Sequence, residues 1–377
     1  MSRPLRSKRW RLSPSTIQDT IYAFRTARVL LTAHELDLFT ALDAGLKTSA
    51  EAARLLRTDE RATDRLMNAL CAMGLLKKKR GTFSNSPVAA RFLVKAKPEY
   101  LAGIMQSVSL WRTWSTLTDA VRAGTSVMVR GEVSERAEDW LEAFIAAMHA
   151  RAFQQAPAVI KLLDLRGVRR VLDVGGGSGA FSMAFVRAKK DIHAVVFDLP
   201  NVIPLSRQYI EAEHLSDRID AAVGDYTVDS LGSDFDLAFL SAVIHSNSAE
   251  VNKQLFRKVA DALNPNGQIV VQDHIMSEDR TAPLGGALFA LNMLVGTKAG
   301  DTYTESEVRA WMEEAGFKNI RWRGSPLGNS LMIGRKKERD RVMGPSGDRV
   351  IGSLRDRMIG PGIIERINRC STLEGIL

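Results

Sequence analysis

The run Val171-Leu172-Asp173-Val174-Gly175-Gly176-Gly177-Ser178-Gly179 constrains the fold of this chain more than any other segment. An apolar stretch of strand length enters a glycine-rich turn, and a helix-forming stretch begins at once after it. Glycines lack Cβ, so the backbone can bend sharply there and approach a bound ligand closely. A strand, a glycine turn and a helix in that order belong to a parallel sheet with helices on its faces. The spacing is G-x-G-x-G at 175, 177 and 179; Ala180 stands where the longer dinucleotide pattern has its third glycine.

The pattern continues from 168 onward. Apolar runs at 170–174, 194–197, 219–223, 236–240, 269–272, 317–322 and 330–333 alternate with helical stretches near 179–188, 202–213, 249–263 and 304–315. Seven strands result, the last two after a single helix, a closing pair that an ordinary dinucleotide-binding half lacks.

The first hundred residues read as helical. An apolar-rich stretch covers 21–42, and Thr48-Ser49-Ala50-Glu51 has the spacing of a capping box. Leu66, Met67, Leu70 and Met73 share one face of a third helix that stops at Gly74. Two short strands follow around Lys77 to Arg80. Three helices and a hairpin form a winged-helix arrangement. Residues 101–165 add helices at 138–150 and 153–163, with Met105, Trp111 and Trp114 read as core. The expected division is a helical domain at 12–110, a helical linker at 111–165, an α/β domain at 166–334, and a poorly ordered basic tail at 335–377.

Composition narrows the function classes. With 45% hydrophobic and 25% charged residues, the chain is an ordinary globular protein long enough for two cores. The net charge of +9 suggests nucleic acid until it is located. Arg3, Arg6, Lys8, Arg9 and Arg11, with the basic excess from 335 onward, account for all of it, so the body between is neutral. The third helix opens with Asp59, Glu60, Arg61, Asp64 and Arg65, which is no basic stripe for a DNA groove. No apolar run is long enough to span a membrane, and no apolar segment follows the basic N-terminus as in a signal peptide. Cys71 and Cys370 have no ligand-like spacing, so neither a disulfide framework nor a metal is expected. A cytoplasmic enzyme is the default.

The chemistry-bearing residues stand at strand ends. Asp198 closes the second strand 19 residues after Gly179, where a carboxylate can accept from both hydroxyls of a ribose. Dinucleotide enzymes place an acid there too. The third strand ends in Gly224-Asp225-Tyr226, where a carboxylate can accept from an adenine amine and an aromatic can lie against its ring. Such edges on consecutive strands suit a nucleoside lying across them, and nothing there is built for a pyrophosphate.

With these residues in view, the chain resembles the family-2 small-molecule O-methyltransferases, which include plant phenolic, acetylserotonin and bacterial polyketide enzymes. The resemblance spans about 20 to 334 and rests on 172–179, 197–200, Gly224-Asp225, 241–245, 300–304 and Gly316-Phe317. It implies the seven-stranded Rossmann-like methyltransferase sheet, with the N-terminal domain serving dimerisation as a homodimer. It implies S-adenosylmethionine as methyl donor and S-adenosylhomocysteine as product, held by Asp173, Gly175, Gly177, Gly179, Asp198, Leu199, Gly224, Asp225, Tyr226 and Ser241. It also implies a small-molecule acceptor whose hydroxyl is deprotonated by His245. A neutral imidazole suits that task on its own chemistry. Asp273, closing the fifth strand, would orient the ring; His274 beside it is a rival base. The sequence departs from the family at Thr302, where a second acid is usual, and at Ser241, Ser246 and Asn247.

The acceptor wall falls in 285–300, with Phe289, Asn292 and Met293. A flat, mostly apolar acceptor fits such a wall. Two other readings stay open: a cofactor-retaining relative doing C-methylation or hydroxylation, and a DNA-binding sensor of the cofactor.

Overall fold

A computed structural model describes residues 12–101, 103–128, 137–324 and 329–337. The basic N-terminus, and the basic tail from 338 on with Cys370, lie outside the described residues.

The α/β part contains a seven-stranded sheet. Its strands are β1 (Arg170–Val174), β2 (His193–Asp198), β3 (Ile219–Val223), β4 (Phe235–Ser241), β5 (Leu263–Asp273), β6 (Phe317–Gly324) and β7 (Ser330–Lys336). They lie in the order β6-β7-β5-β4-β1-β2-β3. All neighbours are parallel except β7, which is antiparallel to both β5 and β6. The order reverses at β1, so the ends of β1 and β4 flank the switch point where doubly wound sheets bind ligands. Both faces are covered. Leu172, Val174, Leu240, Val271 and Phe256 pack on one; Val171, Phe185, Phe239, Val270 and Leu331 pack on the other.

Strand positions follow the apolar runs, and the edges grow by one to three residues where hydrogen bonding continues past the apolar core. β5 differs most. It begins at Leu263, six residues before the apolar run, because Leu263 pairs with Phe235 ahead of a register shift that leaves 264–267 bulged before Gln268 pairs with Leu237.

In the N-terminal part, helices Pro14–Glu35, Leu38–Asp43, Ser49–Leu56 and Glu60–Ala72 surround Leu38, Phe39, Met67, Leu70 and Phe83. The Thr48 hydroxyl accepts from the Glu51 amide while the Glu51 carboxylate accepts from Thr48, so the capping box forms as its spacing predicts. The hairpin strands are Leu76–Lys79 and Thr82–Asn85, joined by a third strand, Lys47–Thr48, in one antiparallel sheet. The apolar stretch expected at 21–42 is two helices, interrupted where Asp37 takes a left-handed φ of 59°.

The segments expected at 138–150 and 153–163 are one helix, Ala137–Ile160, running through Pro157. Nothing at 151–152 stops it, since Arg151 and Ala152 are good helix formers. This helix packs on Ala180–Ala188, the helix that follows the glycine turn, and on Gly103–Trp114. The helix Leu284–Gly296 packs against Gly103–Trp114 and Leu117–Ala123, which brings the segments before and after the sheet together.

Candidate active site

The glycine turn is built by backbone geometry that side chains resist. Gly175, Gly177 and Gly179 hold φ at 63°, 55° and 77°, all left-handed. A Cβ at Gly175 would stand 3.0 Å from the side chain of Val243, so the turn lies directly against the segment that follows β4. The Gly175 amide donates to the Phe197 carbonyl at 2.8 Å, and Gly179 caps the start of the next helix.

The Asp198 carboxylate stands opposite this turn. One oxygen accepts from the Gly177 amide and the other from the Leu199 amide, both at 2.8 Å. The Asp198 carbonyl accepts from the Gly224 amide at 3.0 Å, so the ends of β1, β2 and β3 are tied into one rim. Burial pushes the Asp198 carboxyl up in pKa, against the two amides that favour its charge. Each carboxylate oxygen has a second lone pair beyond these bonds. A turn with a single side chain, Ser178, beside such a carboxylate fits the nucleoside of S-adenosylmethionine.

Asp173 behaves differently from its neighbours in sequence. Its carboxylate is 1% exposed and accepts from the Ser182 hydroxyl at 2.7 Å, facing the helix behind the turn. Burial pushes its pKa up to about 7. Asp225 accepts from both the amide and the hydroxyl of Thr227, and the hydroxyl of half-buried Tyr226 donates to Asn247 at 3.0 Å. Ser241, the last residue of β4, is half-buried and pairs in register with Gln272.

His245 sits in a short 3-10 turn, Ile244–Ser246, just past β4. Ala242 enters that turn with φ of 59°, a left-handed strain of about 1 kcal/mol or more for a residue with Cβ. Surrounding bonds hold the strained turn in place. The Asn252 side chain donates to the Ile244 carbonyl at 2.8 Å, and the Asp301 amide donates to the His245 carbonyl at 2.9 Å. The Tyr303 hydroxyl donates to the Asn247 carbonyl at 2.5 Å. Gly300 lies so near that a Cβ there would come within 2.5 Å of the His245 carbonyl oxygen.

The His245 Nδ1 lies 2.8 and 3.0 Å from the two carboxylate oxygens of Asp273. Burial disfavours charge on Asp273, which is 1% exposed, yet the His245 ring and the bonds from His245 and His274 hold its pKa below the usual carboxylate value. Burial lowers the pKa of His274. Phe289 meets both imidazoles, edge-on to His245 at 4.8 Å between ring centres and tilted against His274 at 4.4 Å.

The structure thus unites His245, Asp273 and Phe289, and it unites Gly175, Gly177, Gly179, Asp198, Leu199 and Gly224. Asn292, three residues beyond Phe289 on the wall helix, accepts from the Trp114 indole at 2.9 Å. Trp114, read as core from the sequence, is half-buried at this contact. Met293 is buried. Thr302 is buried near the Gly286 carbonyl, while Arg280 ties its own carbonyl to Asp301 and Glu307. Sequence reasoning missed two contacts. The His149 Nδ1 lies 2.8 Å from the Ser178 hydroxyl of the glycine turn, its ring stacked on Tyr209 at 4.2 Å. Asn247 links Tyr226 to Asn252 beneath the His245 turn. A histidine facing a glycine turn from a remote helix leaves no local pattern; the Asn247–Asn252 spacing of five residues is equally silent.

Among the described residues, no helix is long and apolar enough to cross a membrane, and no group of three or more His, Cys, Asp or Glu could hold a metal ion.

Comparison with known proteins agrees with this geometry. Residues 114–318 match the O-methyltransferase domain, and residues 18–95 match the O-methyltransferase dimerisation domain. The chain is 32% identical over 334 residues to 3-hydroxy-5-methyl-1-naphthoate 3-O-methyltransferase of Streptomyces sahachiroi, covering 86% of this chain and 95% of that protein. It is 29% identical to the tetracenomycin polyketide synthesis 8-O-methyl transferase TcmO of Streptomyces glaucescens, covering 86% and 97%. The solved structure of PigF with SAH superposes with a TM-score of 0.79 at 25% identity, covering 86% of this chain and all of that one.

Proposed function

Because the chain belongs to the S-adenosylmethionine-dependent O-methyltransferase family, we propose that it methylates a hydroxyl of a small aromatic or polyketide-like molecule, with His245 as general base. The observation that carries this reading is the buried His245–Asp273 pair beside Phe289, next to the glycine turn. S-adenosylmethionine, when bound, supplies a methyl group activated on a sulfonium.

The residues of this chain supply position and a proton acceptor. A carboxylate can only accept, so the bond to Asp273 keeps hydrogen on Nδ1 and leaves Nε2 with a lone pair. Nε2 takes the proton of the acceptor hydroxyl, and Asp273 stabilises the imidazolium that results. Alignment of nucleophile and methyl group accounts for much of the rate in such displacements. Phe289 supports it by offering a flat wall beside the base. In this reading the backbone of the glycine turn, with Asp198 and Leu199, receives the ribose end of the donor. Gly224, Asp225 and Tyr226 receive the adenine, and Ser241 lies at the cofactor end of β4. Asp173 supports the turn from behind.

The division into a helical N-terminal domain, a linker and a catalytic domain belongs to the same proposal, as does a homodimer formed through the N-terminal domain. The helix Pro14–Glu35 supports it with exposed Ile17, Ile21, Tyr22 and Phe24, apolar surface that a second copy would cover.

The test is methyl transfer from labelled S-adenosylmethionine to a panel of aromatic and polyketide hydroxyls. His245→Ala should lower kcat about 10²- to 10⁴-fold on any accepted hydroxyl, with donor binding retained. An unchanged kcat removes His245 as the base.

A further inference from the structure

A second site lies on one face of the sheet at its β6 edge. An open cleft of about 360 Å³ is framed by the loop after the long helix and by one face of β5, β6 and β7. Arg166, Arg321, Arg323 and Arg335 line it, with Asp164 as the one acid among the described residues and Gln268 on its floor. Arg335 pairs in register with Gln268, and Arg321 with Ile333, which sets these side chains on one face. Gln268 precedes Asp273 by five residues on β5, an odd number, so the two side chains leave opposite faces of the strand and the cleft is separate from the methyl-transfer site.

We propose that this cleft binds a small, multiply charged anion of the phosphate class. Asp164 engages Arg166 at 2.8 Å and lies 3.7 Å from Arg335, which leaves three positive charges in excess. Arg323 donates to the Leu162 carbonyl at 3.0 Å and Arg335 to the Asn266 carbonyl at 3.2 Å. Each guanidinium has five N–H donors in a planar fork, so these bonds orient the forks without consuming them. Gln268 is 3% exposed, and its side-chain amide nitrogen has no hydrogen-bond partner among the described residues. A buried donor without an acceptor is costly, and a turn of the Gln268 side chain toward the cleft would let an oxyanion accept from it. Arginine forks match the oxygen spacing of phosphate in a bidentate manner.

The same features limit the size of the ligand. The volume lies near the lower end of small-molecule pockets, which run from about 300 Å³ upward. Among the described residues no aromatic side chain lines the cleft, so they offer no platform on which a nucleobase could stack. Pyrophosphate and small phosphomonoesters fit these terms.

The experiment is calorimetric titration of the full chain with inorganic pyrophosphate and, separately, inorganic phosphate, at one fixed ionic strength. Saturable single-site binding is expected, with pyrophosphate tighter than phosphate. The variant Arg321→Gln with Arg323→Gln should weaken pyrophosphate at least tenfold, and Gln268→Leu should weaken it several-fold. Both should bind S-adenosylhomocysteine as the unaltered protein does, which reports an intact fold. If the double variant fails to fold, Gln268→Leu carries the test alone. Absence of saturable heat, or unchanged pyrophosphate affinity in a folded variant, overturns the proposal. The arginines would then only keep the edge strand β6 from pairing with other chains.

Discussion

Asp173, near the end of β1, and Asp273, at the end of β5, belong to one sheet with β4 between them, and each is 1% exposed. Their chemistry is opposite. Asp173 faces a serine hydroxyl and its pKa rises to about 7; Asp273 faces an imidazole and two backbone amides, and its pKa stays below the ordinary value. Burial is the same, so the partners decide which carboxylate carries charge at neutral pH. A buried carboxylate can therefore be a support or an electrostatic tool, and depth alone does not tell which.

Three substitutions would break or sharpen this contrast. The largest effect is expected at Asp273. Asp273→Asn keeps the shape but removes the charge that stabilises the imidazolium, so kcat should fall at least about 10²-fold while donor affinity, measured by calorimetry, stays near its original value. A kcat within threefold of the unaltered protein would reduce Asp273 to packing.

Asp198 ranks next. Asp198→Asn retains one acceptor oxygen, and its NH2 cannot accept from the Gly177 or Leu199 amide. Affinity for S-adenosylhomocysteine should drop roughly 10-fold, with KM for the donor rising more than kcat falls. A kcat loss at unchanged KM would place the residue in a different role.

The smallest effect concerns Asp173 and is one of stability. Its folded pKa of about 7 exceeds the unfolded value of 3.8, so the folded state binds the proton more tightly. The favourable contribution is present at low pH and is lost as pH rises from about 4 to about 7, after which it is constant. Asp173→Asn removes this loss. The Tm of the variant relative to the original chain should rise between pH 5 and pH 8, followed by calorimetry without donor. A flat difference across that range would show that the carboxylate is not protonated in the folded protein.

What the sequence disclosed follows from how local each cause is. Val171 to Gly179 announces a strand and a turn because its apolar residues and glycines are contiguous. Thr48 and Glu51 announce a helix start because the cap closes within three residues. His245 and Asp273 are each visible as polar residues ending apolar strands, and the resemblance pairs them; the 2.8 Å contact itself depends on β4 and β5 lying side by side. The bond between Trp114 and Asn292 joins residues 178 apart and exists only because two helices pack across the site. Asn292 read as acceptor wall and Trp114 as core, and neither reading contained the other. The two-residue strands Ile275–Met276 and Tyr303–Thr304 are likewise set by proximity rather than by any run of β-formers.

The close approach of Gly300 to the carbonyl of His245 has a bearing on how such an enzyme changes its acceptor. The wall helix Leu284–Gly296 ends a few residues before this contact, so its side chains can be exchanged while the anchor at 300 stays fixed. Lengthening or shortening the connection between them cannot be absorbed in the same way. Any insertion there drags the imidazole with it, and diversification of this scaffold is thereby channelled into residue swaps along the helix, with the number of residues up to 300 held constant.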